Sequence, residues 1–352
     1  MNQINLDEVK YNNYLLNQSE IKDKKIILKS KPLSLIFTIT DECQLNCIMC
    51  PVKKSRFKNI GLSRIKEIIE FCGKEAVTVQ WMGGEPLLHS EFEELITLAN
   101  DVNLLQTVTT NGLLLNGIIA EKLIKYNADI VISVDGSNKK IYESIRKGAD
   151  FDLLVKNIQH VNMLREKYNH TGHFGINFCV LKQNSQDIID MVEFAKNYNF
   201  RGINFISPYD VEEKYLLVNN EELKENFLKA GEKAKNYKIE FIGWSPFAGD
   251  MRQKDFNNAE IQMLCYSPFY NFGINPDGRM DICICRDLSF TDKNKIKDLN
   301  EIWNAQQVQK YRQNIYNNEL PSEICGQCPG IGLRHYYHPQ VIERLNSIKN
   351  IH

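Results

Sequence analysis

From about residue 33 to 206 the chain alternates short apolar runs with amphipathic stretches. LSLIFTIT (33–40) and AVTVQWM (76–82) are rich in β-branched and aromatic residues and read as buried strands. Between them Ile65, Ile68, Ile69 and Cys72 follow an i, i+3, i+4, i+7 stripe, the pattern of a helix packed on a sheet. Ser90 and Glu93 have capping-box spacing and open a helix through Phe92, Leu95, Ile96 and Ala99. Further strands are expected near 104–110, 129–134, 175–181 and 202–206, with helices near 117–126, 151–168 and 186–198. Six such strand–helix units predict an α/β fold with a parallel sheet and right-handed crossovers. Periodicity alone leaves both an open doubly wound sheet and an incomplete barrel.

After a helix near 221–237 the rhythm changes. Residues 238–335 hold turn signals, two short strand-like runs and most of the late cysteines. Asp277-Gly278 is a hairpin turn that would join 272–275 to 279–284. The expected division is an N-terminal extension (1–32), a main α/β domain (33–237), a small α+β appendage (238–335) and a tail (336–352). No internal repeat or low-complexity tract interrupts it.

Composition bounds the function. The 352 residues are 43% apolar and 25% charged, the mix of a soluble globular protein. A net charge of -1 gives no electrostatic case for nucleic acid or an anionic membrane. The start, MNQINLDEVKYNN, is polar and acidic, unlike a signal peptide, and no apolar run approaches a membrane span. A cytoplasmic protein is expected.

Ten cysteines carry the chemistry. Cys43, Cys47 and Cys50 follow the first strand directly, and five more lie between Cys265 and Cys328. Clustered cysteines in a cytosolic chain bind metal more often than they form disulfides. Three thiolates bind three irons of a four-iron cluster, whereas full ligation takes four. The fourth iron then stays open to a ligand. A structural zinc site would present four ligands, usually as paired C-x2-C units; no fourth ligand lies close in sequence here.

At these residues the chain resembles the radical S-adenosylmethionine (SAM) superfamily. TDECQLNCIMCP (40–51) looks like the family's loop after its first barrel strand, and WMGGEPLL (81–88) like its glycine-rich motif. TTNG (109–112) and SVDG (133–136) resemble the segments closing the third and fourth strands. All four end expected strands, where parallel α/β folds place their ligand sites. The resemblance implies an incomplete (β/α)6 TIM-like barrel and an enzyme that cleaves SAM reductively to a 5′-deoxyadenosyl radical. It implies cluster ligation by Cys43, Cys47 and Cys50, and a SAM amino-group site shaped by Gly83, Gly84 and Glu85. Thr110 and Ser133 would sit near the methionine and ribose, Asn177 would face inward, and Arg146 would take the SAM carboxylate in a bidentate fork. Relatives place an aromatic residue just before the third cysteine; Met49 stands there, and a thioether can fill the same space.

Cys265, GRMDIC (278–283), Cys285 and Cys325-x2-Cys328 resemble the auxiliary-cluster domain called SPASM, in its short twitch form. That implies a second four-iron cluster held by Cys265, Cys283, Cys325 and Cys328, with a four-cysteine zinc site as the alternative. Cys285 would face the same side of a strand as Cys283. Cys72 completes an apolar stripe. Cys179 shares strand parity with Asn177, which allows it to point into the barrel, although a buried, inert thiol is the preferred reading.

The expected substrate is a small oxygenated molecule, such as a sugar, nucleotide sugar or aminocyclitol, that is dehydrogenated, dehydrated or epimerised. The auxiliary cluster would aid electron transfer or positioning. The alternatives are a maturase acting on a ribosomally made natural-product peptide and, last, a non-enzymatic electron carrier. Asp210 and Asp250 are the candidate general bases, with Tyr209, Trp244 and Arg252 as further substrate contacts. A flavodoxin- or ferredoxin-type donor would supply the electron.

Overall fold

A computed structural model describes residues 6–50, 59–206, 208, 215, 221–243, 265–283, 298–323 and 325. Asp210, Asp250, Tyr209, Trp244, Arg252, Cys285 and Cys328 lie outside the described residues.

Helix α1 (Leu6–Lys22) leads into β1 (Ser34–Thr40), α2 (Leu62–Cys72), β2 (Thr78–Gly83), α3 (Phe92–Asp101) and β3 (Leu105–Thr110). There follow α4 (Gly117–Lys125), β4 (Asp129–Ser133), α5 (Lys139–Ile145), α6 (Phe151–Lys167), β5 (Phe174–Cys179), α7 (Ile188–Asn197) and β6 (Gly202–Ile206). These strands pair in parallel, each with the next along the chain. The helices bury the expected stripes, Ile65, Ile68, Ile69 and Cys72 on α2 among them. Cys72 is fully buried and its thiol donates to the Ile68 carbonyl at 3.2 Å, so it is a core residue.

The sheet is longer than six strands. After α8 (Glu221–Tyr237), β7 (Glu240–Gly243) adds in parallel to β6. Residues 240–243, placed in the appendage from the sequence, thus continue the barrel's own rhythm. A short α9 (Ser267–Tyr270) precedes β8 (Asn271–Ile274), which pairs in parallel with β1 on the opposite edge. β9 (Met280–Asp281) returns antiparallel on β8 through a turn in which Gly278 has φ +83°, as the Asp277-Gly278 signal predicts. The order is β7-β6-β5-β4-β3-β2-β1-β8-β9, a mostly parallel, unclosed barrel. Helices α10 (Leu299–Trp303) and α11 (Gln306–Tyr316) complete the described residues.

The expected capping box at Ser90 does not form. Glu91 is the N-cap of α3 and makes no side-chain cap bond, while its N–H is taken by His89 Nδ1 at 3.2 Å. Helix α1, by contrast, was invisible to apolar periodicity because its buried face is largely polar: Lys10, Asn13, Asn17, Glu20 and Ile21. Lys10 Nζ donates to the Gly73 carbonyl at 3.0 Å and to that of Ala76. Asn17 Nδ2 reaches the Phe269 carbonyl at 2.8 Å, tying the N-terminal helix to the segment before β8. Buried carbonyls at such junctions need partners, and these side chains supply them.

Candidate active site

Every parallel strand from β1 to β6 points its C-terminal end to the same side, and the four motifs gather there. Between Thr40 and the first cysteine, Glu42 N donates to Thr40 Oγ1 at 2.9 Å, starting the loop. The loop then docks on the end of α5: Asn46 N donates to the Lys147 carbonyl at 2.8 Å and Ile48 N to that of Ile145 at 3.0 Å. Cys50 N donates to the Cys47 carbonyl at 3.2 Å. Leu45 N lies 3.4 Å from Cys43 Sγ and Asn111 Nδ2 lies 3.9 Å from it.

A cavity of about 240 Å³ opens at this point. Cys43, Cys47 and Cys50 share it with Gly83, Gly84, Thr110, Ser133 and Arg146. Glu85 and Asn177, expected beside the ligand, do not line it. Glu85 is fully buried behind the wall. Its carboxylate accepts from Thr110 Oγ1 at 2.7 Å, Asn111 N at 2.7 Å and Leu87 N at 3.2 Å. Burial pushes its pKa up, and the three donors pull it back. Asn177 sits level with Ser133 and Asn204 across β4, β5 and β6, and its Oδ1 accepts from Asn204 Nδ2 at 2.9 Å.

The glycines are explained by the chain's own backbone. A Cβ on Gly83 would collide with the Thr40 carbonyl oxygen, and one on Gly84 with that of Glu42. Gly84 N donates to Thr40 O at 2.7 Å and Glu85 N to Glu42 O at 2.6 Å, so the glycine-rich turn is sewn directly to the cysteine loop. Gly83 also has φ +146°.

Arg146 is neither an exposed helix end nor a free fork. It caps α5 and is only 8% exposed. Its Nε stands 2.7 Å from Asp135 Oδ2, off the axis of an ideal hydrogen bond, and its Nη1 lies 4.0 Å from Cys47 Sγ. Burial opposes its charge, but the Asp135 carboxylate beside it favours the charged form and holds it protonated. Asp135 is fully buried, and its Oδ1 accepts from Cys179 N at 2.7 Å. Sequence reasoning quoted Asp135 and Asn111 inside motifs but gave them no role; Asn111 Oδ1 accepts from Gln44 Nε2 of the cysteine loop at 3.2 Å, and Asp135 holds the end of β5 and Arg146.

Met49 and Cys179 also line the cavity, beside Leu45, Met82, Ile206 and Pro208. Met49, standing where relatives have an aromatic residue, is thus on the cavity wall. Cys179, read as a core thiol, is on the wall. Burial pushes the Cys47 thiol up to about 11 and raises those of Cys43 and Cys179 as well. Thiols held protonated by burial ionise when a metal replaces the proton.

The donor set fits a SAM-binding cluster. The three thiols of the first cysteine group border one cavity, a buried cation faces one sulfur, and small hydroxyls and glycine backbone contribute to the wall. Among the described residues no three His, Cys, Asp or Glu side chains converge as the ligands of a single metal ion would. In a cluster each thiolate takes a different iron. Of the second group, Cys283 and Cys325 pack on one small apolar cluster with Ile282, Val308 and Tyr311, while Cys265 packs on the main core.

Comparison with known proteins agrees. The radical SAM superfamily model matches residues 37–195, and the iron–sulfur cluster-binding SPASM domain matches residues 265–329. The chain is 26% identical over 285 residues to a probable GTP 3′,8-cyclase of Methanocaldococcus jannaschii, covering 74% of this chain and 87% of that one. It is 27% identical over 171 residues to the mycofactocin maturase MftC of Mycolicibacterium smegmatis, 47% of this chain and 42% of that one. Its fold matches SuiB of Streptococcus suis, solved with S-adenosylmethionine and with its precursor peptide SuiA. Each covers 94% of this chain at 17% identity and a TM-score of 0.66, and 78% and 77% of SuiB. No helix of the described residues is long and apolar enough to cross a membrane. With its SPASM domain, two four-iron clusters (4Fe–4S) and SAM as cofactors, the chain is an enzyme that belongs to the radical SAM superfamily.

Proposed function

We propose that this enzyme is a maturase that modifies a ribosomally made peptide. The observation that carries the reading is the match to SuiB along 94% of the chain, in a fold that accommodates a precursor peptide. The relation to mycofactocin maturase supports it. A sugar, nucleotide-sugar or aminocyclitol substrate, expected from the sequence, finds no support in these relatives, whose names point to peptides and to GTP.

When bound, SAM and the open cluster supply a carbon radical that removes one hydrogen atom from the substrate. The chain's own residues hold the reactants and keep water out. Cys43, Cys47 and Cys50 are the cluster ligands in this reading, with Gly83, Gly84, Thr110, Ser133 and Arg146 around SAM. Leu45, Met49, Met82, Ile206 and Pro208 give the cavity an apolar side that excludes water. Asp210 or Asp250 is the base that receives a substrate proton. Cys265, Cys283, Cys325 and Cys328 hold the auxiliary cluster. Reduced thiols of this number suit the cytoplasm, and a flavodoxin- or ferredoxin-type donor provides the electron.

The test is anaerobic incubation of reconstituted protein with SAM, dithionite and any short peptide found encoded beside its gene. Peptide-dependent 5′-deoxyadenosine and a change in peptide mass by hydrogen atoms are expected. Turnover with GTP or a nucleotide sugar, and none with any peptide, would replace this reading.

A further inference from the structure

Asp135 and Arg146 form a buried ion pair beside the cavity, and its geometry asks what the pair is for. A fully buried carboxylate and a guanidinium are costly to desolvate, and such a pair rarely adds net stability. The two meet at 2.7 Å through Nε, which leaves the other edge of the guanidinium free to face elsewhere. On that edge Nη1 lies 4.0 Å from Cys47 Sγ.

The orientation is fixed from both ends. The Arg146 N–H bonds to the Tyr142 carbonyl at 2.8 Å, closing α5, and the next residues receive the cysteine loop through Lys147 O and Asn46 N at 2.8 Å. Asp135 is fixed in turn by Cys179 N at 2.7 Å. The Tyr142 hydroxyl is buried nearby without a hydrogen-bond partner among the described residues. Among the side chains lining the cavity, Arg146 is the one cation in the described set. Charge and hydrogen bonds at ligand sulfurs set the potential of an iron–sulfur cluster, most strongly where water is excluded.

We infer that Arg146, aimed by Asp135, is a positioning residue that raises the reduction potential of the SAM-binding cluster through the Cys47 sulfur. The inference rests on the cluster lying at Cys43, Cys47 and Cys50, and is independent of the substrate. A cation beside the ligand favours the added electron, so the cluster accepts it more readily than it would without Arg146. This role differs from holding the SAM carboxylate, because it operates before SAM arrives.

The experiment is a redox titration of the reconstituted protein without SAM, followed by electron paramagnetic resonance. Arg146→Gln should make the SAM-binding cluster about tenfold harder to reduce, 59 mV for one electron. The auxiliary cluster in the same sample should be unmoved. Asp135→Asn separates aim from field. Removing an anion would by itself make reduction easier; losing the aim of Arg146 makes it harder, and harder is expected. Should either variant load poorly, iron content reports it, and Arg146→Lys with a full cluster then takes its place. Lysine keeps the charge without the fork, so a shift in the same direction but smaller is expected. An unchanged potential in a fully loaded Arg146→Gln variant, or easier reduction in Asp135→Asn, overturns the inference. Iron counts lacking the first cluster in wild-type protein would instead refute the ligand assignment.

Discussion

Glu85 and Thr110 are joined by a 2.7 Å hydrogen bond that links the glycine-rich turn after β2 to the end of β3. The same carboxylate takes the Asn111 N–H on its other oxygen, also at 2.7 Å. One buried carboxylate thereby sets the distance between two walls of the cavity from behind them. A glutamine has a single acceptor oxygen, so Glu85→Gln leaves one of these donors facing an amide NH2. Leaving a buried donor unsatisfied costs about 1–3 kcal/mol. Urea unfolding of the metal-free variant should show a loss of about that size, with a raised KM for SAM after reconstitution. An unaltered midpoint would mean the walls are held some other way.

Gly84→Ala tests the seam between turn and cysteine loop. The new methyl meets the Glu42 and Asp41 carbonyls, which are backbone and cannot swing aside. Over-packing of this kind costs about 1–3 kcal/mol, and the strain falls on the segment just before Cys43. We expect the variant to lose iron from the first cluster and keep the second. Gly231→Ala is the contrast: Gly231 lies in α8 with nothing near its missing Cβ. There alanine should stabilise by up to about 1 kcal/mol through helix propensity. Equal iron in wild-type and Gly84→Ala protein would contradict the account.

The strands and most helices were legible because they bury apolar stripes, and the motifs because they end those strands. What escaped was held together by polar groups. Helix α1 buries Lys10, Asn13 and Asn17 on a helical period, yet a search for apolar periodicity passes over them. Arg312 is similar: read as part of a helical segment, it is fully buried. It donates to the Pro268 carbonyl in α9 and to the Ile26 carbonyl after α1, each at 2.8 Å, fastening α11 to both segments. Burial pulls its pKa down to about 9. The lysine, the arginine and the asparagines would pass for surface residues in any sequence. Arg146 is expected from the sequence at the SAM carboxylate; its partner Asp135 lies eleven residues earlier, on the far side of α5, a separation that no local pattern flags.

His170 gives the fold a dependence on pH. Its ring is buried, with Nε2 2.8 Å from the Ala128 carbonyl and Nδ1 without a hydrogen-bond partner among the described residues. Burial lowers its pKa, and the nearby Arg165 acts in the same direction. The folded state therefore resists a proton that the unfolded chain accepts near its ordinary value of about 6.5. This contribution is present above that value and is lost as pH falls through it towards the lower folded-state pKa. His170→Gln keeps a donor for Ala128 and removes the titration. Urea midpoints of the metal-free proteins at pH 7.5 and 5.5 should show wild type losing more stability than the variant. A parallel decline would assign the effect elsewhere.

Cys283 and Cys285 are alike in sequence and differ in expected role. If residues 283 to 285 continue the strand, the two thiols face one side, and spacing cannot choose between them. The structure adds a reason for the first. Cys283 N donates to Asp281 Oδ1 at 3.0 Å directly after β9, which holds this residue against the antiparallel pair. Its side chain packs on the apolar cluster of Ile282, Val308 and Tyr311 that also contains Cys325. Two thiols brought to one patch by different segments are the beginning of a ligand set that Cys265 and Cys328 would complete. Cys283→Ala should therefore lose about half of the iron and the auxiliary resonance, while Cys285→Ala keeps both. Cys72→Ala serves as the blank, since Cys72 lies in the core and should alter stability without altering iron. Electron paramagnetic resonance and iron analysis of the three variants decide the matter. Full iron in Cys283→Ala with loss in Cys285→Ala would shift the ligand by two residues along the same face.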